Sequence, residues 1–263
     1  MRIFVTGANG QIGRRLIGLG CLPLYSDVTD YHALSMEIGK AKPDVVVHLA
    51  AITDVEYAEK AEHTEEVIKV NVRGTSNVVS VTGENSCGMV FLSTDHIFNG
   101  KHGPYKESYK NYMPNWLGQV EKPVDFYGLS KLAAEGVVNS YLHTKIVRTS
   151  YLFDWDRMKY DESTYYPTFV YRSFMHVDHF AKALYEYLKR FYEMPQLLNI
   201  AGSDTVSWYQ FAKEYWHGKK VLPRKHDIKD EFSPRPYKCG LDVSESKKLR
   251  LPQFSYRDGL QLL

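Results

Sequence analysis

The amino-acid sequence predicts an α/β protein with a doubly wound parallel sheet, because strand-like and helix-like segments alternate along the chain. The N-terminal segment "RIFVTGANGQIG" (2–13) is a short apolar strand followed by closely spaced glycines and a helical pattern. Two later segments, "DVVVHLAA" (44–51) and "GMVFLST" (88–94), are almost continuously apolar, as strands buried on both faces are. Helical segments separate these strands, and strands joined through helices pair in parallel.

The predicted elements follow one another regularly over the first 150 residues. Strands are predicted at 2–7, 21–27, 44–51, 88–94 and 145–153, and helices at 10–20, 29–43, 65–83 and from about 126. Thr29 or Asp30 is the expected N-cap of the second helix, because either side chain can accept a backbone N–H. Pro23 weakens the second strand, since proline donates no hydrogen bond to a sheet.

The alternation becomes less regular after residue 153. Residues 154–169 have no clear period, and a helix at 177–193, a strand at 197–202 and a helix at 206–218 follow. No internal repeat is visible, so the chain is not a repeat protein.

Composition excludes several classes of protein. A chain of 263 residues, 44% of them hydrophobic, is long enough for one large α/β domain or a main domain with a smaller one. The formal net charge of +2 gives no footprint for nucleic acid or an anionic membrane surface. No apolar run is long enough to span a bilayer, and the N-terminus lacks a signal-peptide layout. We therefore expect a soluble, cytoplasmic protein.

Neither the cysteines nor the histidines predict a metal site. The three cysteines are widely spaced and odd in number, which argues against a disulfide framework and against a cysteine-based metal site. The segment "HVDH" (176–179) has metal-ligand residue types, but no third or fourth ligand stands at a suitable spacing.

The glycine loop "TGANGQIG" (6–13) predicts a dinucleotide site. Gly7, Gly10 and Gly13 directly follow a strand and open a helix, which is the context that this motif requires. Glycines permit a tight turn and the close approach of a pyrophosphate, which then lies at the helix N-terminus. The fold is therefore expected to be of the Rossmann type.

This site divides the predicted chain into two parts. We expect a dinucleotide-binding domain at 1–150, with 176–200 completing its sheet. Residues 151–175 and 201–263 are then expected to form a small C-terminal substrate lobe.

The choice between NAD and NADP depends on the residues near the second strand. Asp27 is the acidic candidate for binding the adenosine ribose hydroxyls. Its segment "DVT" can belong either to the end of the second strand or to the loop that follows. Arg14 and Arg15 follow the glycines, and their guanidinium groups could reach a 2′-phosphate. The cofactor is therefore NADP or NAD, with NADP slightly favoured.

The segment "YGLSKLAAEG" (127–136) contains a possible proton donor. Tyr127 and Lys131 are four residues apart, so a helix places them on one face. A nearby cation lowers the pKa of a tyrosine from its usual value of about 10, and such a tyrosine can protonate a carbonyl oxygen. Functionless surface pairs have the same spacing, so the surrounding motifs must decide.

The glycine loop, "FLSTDHIFNG" and the Tyr-x-x-x-Lys pair occur in one chain in this order. With "KPDVVVHLAAITDVEYAE", "YGLSKLAAE", "VRTSYLF" and "RPYKCGLDVSESKKL", they resemble the extended short-chain dehydrogenase/reductase family, and within it the dTDP-4-dehydrorhamnose reductases. The resemblance covers most of 1–153 and about 233–263. It implies an NAD(P)H-dependent reductase that takes a nucleotide-linked 4-keto sugar and exists as a monomer or homodimer.

The resemblance also implies roles for individual residues. Tyr127 would be the general acid, Lys131 would bind the nicotinamide ribose, and Thr94 would form a hydrogen bond with the substrate carbonyl. The implied cofactor-binding residues are Gly7, Asn9, Gly10, Gln11, Ile12, Gly13, Arg14, Asp27, Val28, Leu49, Ala50, Ala51, Asn71 and Ser93, together with Tyr127 and Lys131. The implied substrate-binding residues are Thr94, Asp95, His96, Tyr151 and Arg235.

Departures from the family pattern keep other functions open. His96 replaces a tyrosine in "STDHIF", Tyr151 replaces the usual tryptophan, and the segment between Phe153 and His176 is short. One alternative is a non-catalytic NADP-binding regulatory subunit like the beta subunit of methionine adenosyltransferase. Another is a nucleotide-sugar epimerase. A dehydratase of this family carries Asp-Glu where this chain has Asp95-His96.

Overall fold

Six parallel strands form the central sheet of the protein. The computed structural model describes residues 1–109, 122–154, 159–225 and 236–262. Its strands are β1 (Ile3–Thr6), β2 (Leu22–Pro23), β3 (Val45–His48), β4 (Gly88–Thr94), β5 (Thr144–Thr149), β6 (Leu152–Phe153), β7 (Tyr165–Pro167), β8 (Tyr171–Arg172), β9 (Met175–His176), β10 (Leu197–Asn199), β11 (Val206–Ser207) and β12 (Leu222–Arg224). The sheet order is β10-β5-β4-β3-β1-β2, which confirms the predicted doubly wound parallel sheet.

Ten α-helices lie between or after these strands in the described part of the chain. They are α1 (Gln11–Gly18), α2 (Tyr31–Ala41), α3 (Val55–Ala58), α4 (Thr64–Val67), α5 (Thr75–Glu84), α6 (Phe126–Val138), α7 (Val177–Lys189), α8 (Trp208–Tyr215), α9 (Ser244–Lys248) and α10 (Tyr256–Leu260). Asp30 caps α2 by accepting the Ala33 N–H at 3.0 Å, as the sequence predicted. Among the described residues, no helix is both long and apolar enough to cross a bilayer.

Two apolar layers enclose the sheet, one on each face. Alternate residues of β1 point to opposite sides, so Ile3 and Val5 belong to one layer and Phe4 to the other. The first layer includes side chains of α1 and α7, and the second includes side chains of α2, α5 and α6. Burial on both faces is the reason why β3 and β4 read as continuous apolar runs.

Two predicted strands are shorter than expected because their backbone groups find other partners. Pro23 has no N–H, and the next free amides, those of Tyr25 and Ser26, donate to the Glu37 carboxylate at 2.9 and 2.8 Å instead of to the sheet. The strand predicted at 145–153 divides at Thr149, after which β6 pairs with β9 outside the central sheet. The chain thus leaves the sheet just beyond the carboxyl end of β5.

The helix predicted at 65–83 contains an irregular turn. α4 continues into a π-helical segment, Ile68–Gly74, and then into α5. Gly74 permits close packing there, because a Cβ at this position would lie 2.8 Å from Val28 Cγ2. Single π-helical turns inside α-helices are frequent at functional sites.

Short strand pairs and an aromatic cluster follow the sheet. β6 pairs with β9, β7 with β12, and β8 with β11. Phe153, Phe174, Phe211 and Tyr256 are buried together, with the rings of Phe174 and Phe211 stacked at 4.1 Å. This cluster fixes α8 against the chain that leaves β5.

Candidate active site

A cavity of about 550 Å³ lies at the carboxyl ends of the sheet strands. Its wall combines the glycine loop after β1, the residues after β3 and β4, the start of α6, and the chain after β5. Ligands of open α/β sheets bind at this edge, outside the carboxyl ends of the strands.

The glycine loop closes tightly against β3 and α1. Gly7 has φ +65°, a left-handed conformation that favours glycine, and a Cβ there would lie 2.8 Å from the Ala50 backbone nitrogen. A Cβ at Gly13 would lie 2.4 Å from the Gly7 carbonyl oxygen. No side chain caps α1, and its first turn has no acidic residue. The loop is therefore a backbone-lined cradle that fits the pyrophosphate of a dinucleotide.

Tyr127 and Lys131 both line the cavity from the first turns of α6. The helix begins where it does because Asp125 Oδ1 accepts the Gly128 N–H at 2.6 Å. Tyr127 is 8% exposed, and Lys131 is 4% exposed. The phenol and the amine therefore share one wall of the cavity, as their spacing predicted.

The charge on Lys131 is weaker than the sequence pattern implied. Burial lowers the pKa of Lys131 to about 7, and the nearby Glu135 acts in the opposite direction. Arg148 neutralises Glu135 through two hydrogen bonds, of 2.9 and 2.7 Å. Phe91 offers a further partner, with Lys131 Nζ 4.0 Å from its ring centroid. Lys131 therefore loses its proton more easily than an exposed lysine does.

The turn after β4 presents three consecutive polar side chains to the cavity. Thr94 Oγ1 accepts the His96 N–H at 3.3 Å, which starts a short 3₁₀ turn. Asp95 accepts a hydrogen bond from Ser150 at 2.6 Å and lies 3.6 Å from Arg172 Nε. The Asp95 carboxylate is therefore held in place by one partner just after β5 and one from β8.

Asn71 connects the loop after β3 with the start of α6. It lies in the π-helical segment, where its Oδ1 accepts the Ile52 N–H at 2.8 Å. Its Nδ2 donates to Ser130 Oγ at 3.0 Å, and Ser130 in turn donates to the Tyr127 carbonyl at 2.7 Å. Asn71 thus fixes the backbone that carries Tyr127 from behind the cavity wall.

His48 connects β1, β3 and α5 beneath the cavity. Thr6 Oγ1 accepts the Leu49 N–H at 3.2 Å, so its hydroxyl proton is available for His48 Nδ1, 2.8 Å away. His48 Nε2 lies 3.1 Å from Thr75 Oγ1, and that hydroxyl donates to the Asn71 carbonyl at 2.7 Å. Burial, with a contribution from Lys131, lowers the pKa of His48 to about 3. His48 is therefore neutral in the folded protein.

This buried neutral histidine predicts a pH dependence of stability. The unfolded chain binds a proton below the ordinary pKa of 6.5, whereas folded His48 resists protonation down to about pH 3. Its contribution to stability is therefore complete above pH 6.5 and is lost as the pH falls through that window, at about 1.4 kcal/mol per pH unit. We expect urea unfolding at pH 7, 6 and 5 to show a shallower decline for His48→Gln than for the wild type. The exposed His32→Gln is the control, and equal slopes for all three proteins would contradict this prediction.

The cavity collects most of the residues predicted from the sequence. Those on its wall are Gly7, Gly10, Gln11, Ile12, Gly13, Leu49, Ala51, Ser93, Thr94, Asp95, His96, Tyr127, Lys131 and Tyr151. Those away from the wall are Asn9, Arg14, Asp27, Val28, Ala50 and Asn71. Arg235 lies outside the described residues.

Arg15 differs from the expectation that it is available to a 2′-phosphate. Its guanidinium forms ion pairs with Asp154, at 2.6 Å, and with Asp178. Arg14 is exposed, and the Asp27 carboxylate accepts the Thr29 N–H at 2.8 Å. Arg15 therefore connects α1 to α7 and to the chain after β6, and the cofactor roles of Arg14 and Asp27 remain predictions.

Sequence reasoning missed two prominent residues of the wall, Arg172 and Trp208. Arg172 is buried, and its Nε lies 3.6 Å from Asp95 Oδ2. Trp208 begins α8, and its ring centroid is 4.6 Å from that of Tyr151. An arginine within the largely aromatic and apolar "FVYRSFMHV" was the available signal for Arg172. No sequence signal marked Trp208, because α8 reaches the cavity only through tertiary packing.

Comparison with known proteins places this site in a family. The model of the RmlD substrate binding domain matches residues 1–166. A dTDP-4-dehydrorhamnose reductase of Aggregatibacter actinomycetemcomitans is 30% identical over 164 residues, which are 58% of this chain and 52% of that protein. The methionine adenosyltransferase 2 subunit beta of Danio rerio is 31% identical over 150 residues, 51% of this chain and 42% of that protein. The chain thus spans about half the length of the curated relatives it matches.

A solved structure extends the likeness to the whole fold. The dTDP-4-dehydrorhamnose reductase of Bacillus anthracis str. Ames, in complex with NADP, superposes with a TM-score of 0.85 at 23% identity. The match covers 99% of this chain and 97% of the other. The Rossmann-type architecture is therefore shared across the full described structure.

Proposed function

The chain belongs to the RmlD substrate binding domain family, and we propose that it is an NAD(P)H-dependent reductase of a nucleotide-linked 4-keto sugar. One observation supports this most: the glycine cradle, Thr94, Tyr127 and Lys131 line a single cavity. A site for a dinucleotide and a site for a carbonyl thus open into the same space. Relatives that carry the name dTDP-4-dehydrorhamnose reductase suggest a dTDP-linked sugar.

The side chains of the cavity divide the work of carbonyl reduction. NADPH or NADH supplies the hydride when it is bound. Tyr127 gives its phenolic proton to the carbonyl oxygen as the alcohol forms. Thr94 offers its hydroxyl to the same oxygen, and the charged form of Lys131 favours loss of the phenolic proton. The Asn71–Ser130 connection holds the backbone of Tyr127 while this happens.

The chain after β5 supplies the wall opposite the glycine loop. Tyr151, Arg172 and Trp208 line the cavity from this side. We propose that this part of the protein, 151–175 and 201–263, is the substrate lobe, and that Arg235 belongs to it. A planar guanidinium such as that of Arg172 suits an anionic group of a nucleotide sugar, although its contact with Asp95 limits how far it can turn.

Gly13→Ala should weaken NADP binding. The new Cβ would lie 2.4 Å from the Gly7 carbonyl oxygen and 2.8 Å from that of Ala8, so the backbone of the cradle must shift. Overpacking of this kind costs the folded protein about 1–3 kcal/mol. If the backbone relieves the clash by leaving the position that binds the pyrophosphate, a binding loss of the same size is about 5- to 150-fold in affinity. Gly18→Ala, in the last turn of the same helix, meets nothing within 4 Å and is the matched control. Calorimetric titration measures both, and wild-type affinity in Gly13→Ala would remove the cradle from the cofactor site.

Turnover of NADPH or NADH with a panel of nucleotide-linked 4-keto sugars tests the proposed function. We expect oxidation of the cofactor to depend on one of these sugars, with the alcohol as the product. The competing function is a non-catalytic regulatory subunit, which the relative from Danio rerio suggests. Binding of NADP without turnover of any sugar in the panel would favour that function, whereas sugar-dependent oxidation would exclude it.

A further inference from the structure

A second acid–base pair, formed by His96 and Asp125, lies beside Tyr127. His96 Nδ1 is 2.7 Å from Asp125 Oδ2. A carboxylate can only accept a hydrogen bond, so Nδ1 carries the proton and Nε2 keeps its lone pair. In the part of the chain that the structure describes, this Nε2 bonds to no protein atom. We call this pair the His96–Asp125 dyad.

Asp125 is held firmly in this arrangement. Its side chain is fully buried, and its other oxygen, Oδ1, accepts the Gly128 N–H at 2.6 Å. The helix cap uses only this one oxygen, so the bond to His96 is an addition that capping does not require. A buried carboxylate behind an imidazole fixes its tautomer and stabilises the imidazolium that forms when Nε2 takes a proton.

One member of the dyad, His96, lies in the same cavity wall as the reductase residues. His96 lines the cavity, and its ring centroid lies 5.7 Å from that of Tyr127, edge-on. The two carboxylates of the described wall are engaged elsewhere. Asp54 caps α3 by accepting the Tyr57 N–H at 3.0 Å, and Asp95 is held by Ser150 and Arg172. His96 differs from both, because its Nε2 accepts no hydrogen bond from a donor in the described part of the chain.

We propose that the His96–Asp125 dyad transfers a proton to and from the carbon next to the ketone of a nucleotide-linked keto sugar. The proposal rests on the proposed function, because the same cavity must bind that sugar. Tyr127 would lie at the ketone oxygen, and the neighbouring carbon is one bond from the carbonyl carbon. The dyad thus stands beside the acid that already serves this ketone.

The transfer needs no oxidant or reductant. Nε2 of His96 takes the proton, and the electron pair of the broken C–H bond forms a C=C bond to the carbonyl carbon. The carbonyl π pair moves to oxygen, which takes the phenolic proton of Tyr127, so an enol, an imidazolium and a Tyr127 phenolate result. The reverse reaction returns a proton to carbon. Once the imidazolium has exchanged its proton with solvent, return of that proton to the same face gives exchange with solvent hydrogen.

Deuterium exchange tests the dyad separately from reduction. The full chain is incubated in D₂O with NADP⁺ and dTDP-4-keto-6-deoxy-D-glucose, and incorporation at the carbons that flank the ketone is followed by mass spectrometry. We expect the wild type to exceed the enzyme-free rate, and His96→Gln to lose about 10²–10⁴-fold of the added rate. Reduction with NADPH should fall less than exchange does. Asp125→Asn keeps an N-cap residue but loses the carboxylate, and should also lower exchange.

The outcomes separate the two proposals. The exposed His32→Gln is the matched control and should exchange like the wild type. Reduction by the wild type without exchange above the enzyme-free rate would overturn the dyad and leave the reductase intact. Exchange without reduction would support the dyad and overturn the reductase. Full exchange in a His96→Gln protein whose circular dichroism matches the wild type would assign His96 to structure alone. If the wild type shows neither exchange nor reduction, both proposals are overturned.

Discussion

Tyr127→Phe should lower kcat for keto-sugar reduction by about 10²–10⁴-fold, the usual contribution of a positioned general acid. The substitution removes only the phenolic hydroxyl. The ring keeps its packing against the buried Ala58 and Val67, and the helix keeps its Asp125 cap. Losing one hydrogen bond costs about 0.5–1.5 kcal/mol, so the Kd of NADP should rise by about tenfold at most. Steady-state turnover and calorimetric titration of the same preparation measure the two effects.

An exposed tyrosine provides the control for this variant. Tyr192 is 73% exposed, so Tyr192→Phe should leave both kcat and the Kd of NADP unchanged. A kcat for Tyr127→Phe close to that of Tyr192→Phe would show that another group supplies the proton, and Tyr127 would lose its role. A large rise in the Kd of NADP with unchanged kcat would instead make Tyr127 a binding residue.

The sheet and the glycine loop could be predicted because their signals are local. Apolar runs such as 44–51 and 88–94 record burial on both faces, and the glycines of 7–13 record a turn that lies within a few residues of chain. Tyr127 and Lys131 were also accessible, since a four-residue spacing on one helix fixes their common face. These features depend little on how distant segments meet.

The rest of the site depends on contacts between distant segments. His96 and Asp125 are 29 positions apart, and only the folded chain brings them to 2.7 Å. Arg172 reaches Asp95 from another strand pair, and no periodicity marks it. The π-helical turn around Asn71 also depends on distant segments, because the side chain of Asn71 bonds to the loop after β3 and to α6. Sequence patterns report burial and spacing along the chain. They do not report which distant residue a side chain contacts, and the roles of these residues depend on such contacts.

Lys131 shows how burial changes the chemistry that a motif suggests. The Tyr-x-x-x-Lys spacing suggested a permanent cation, but desolvation lowers the pKa of Lys131 to about 7 from an ordinary 10.5. The contact with the Phe91 ring is worth about 0.5–2 kcal/mol. The lowered pKa of Lys131 corresponds to a few kcal/mol, so the cost of desolvating the ammonium exceeds the stabilisation by the Phe91 ring. Holding this lysine in the core is therefore a cost to the folded protein without its ligands.

Lys131→Met should accordingly lower activity and raise stability in the same protein. Because the folded pKa lies below the unfolded one, the unfolded chain binds the extra proton between about pH 7 and 10.5. Wild-type stability contributed by this site therefore rises with pH across that window, and the full cost of burial is present below pH 7. We expect urea unfolding of the cofactor-free variant at pH 6 to show a gain on the order of a few kcal/mol over the wild type. The gain should shrink as the pH rises through this window towards 10.5, the ordinary pKa of the unfolded lysine.

The expected loss of activity in Lys131→Met has a cause that is separate from the gain in stability. Methionine fills the space of the lysine stem but holds no charge near the phenol, so Tyr127 loses its nearby cation and kcat should fall by about 10²–10⁴-fold. Lys182 on α7 is exposed, and Lys182→Met should match the wild type in activity and in the pH dependence of unfolding. A Lys131→Met protein that is less stable than the wild type at pH 6 would mean that its ammonium is well paired in the folded state. Stability gained where activity is lost would instead show that Lys131 is kept in the core for its chemistry and not for the fold.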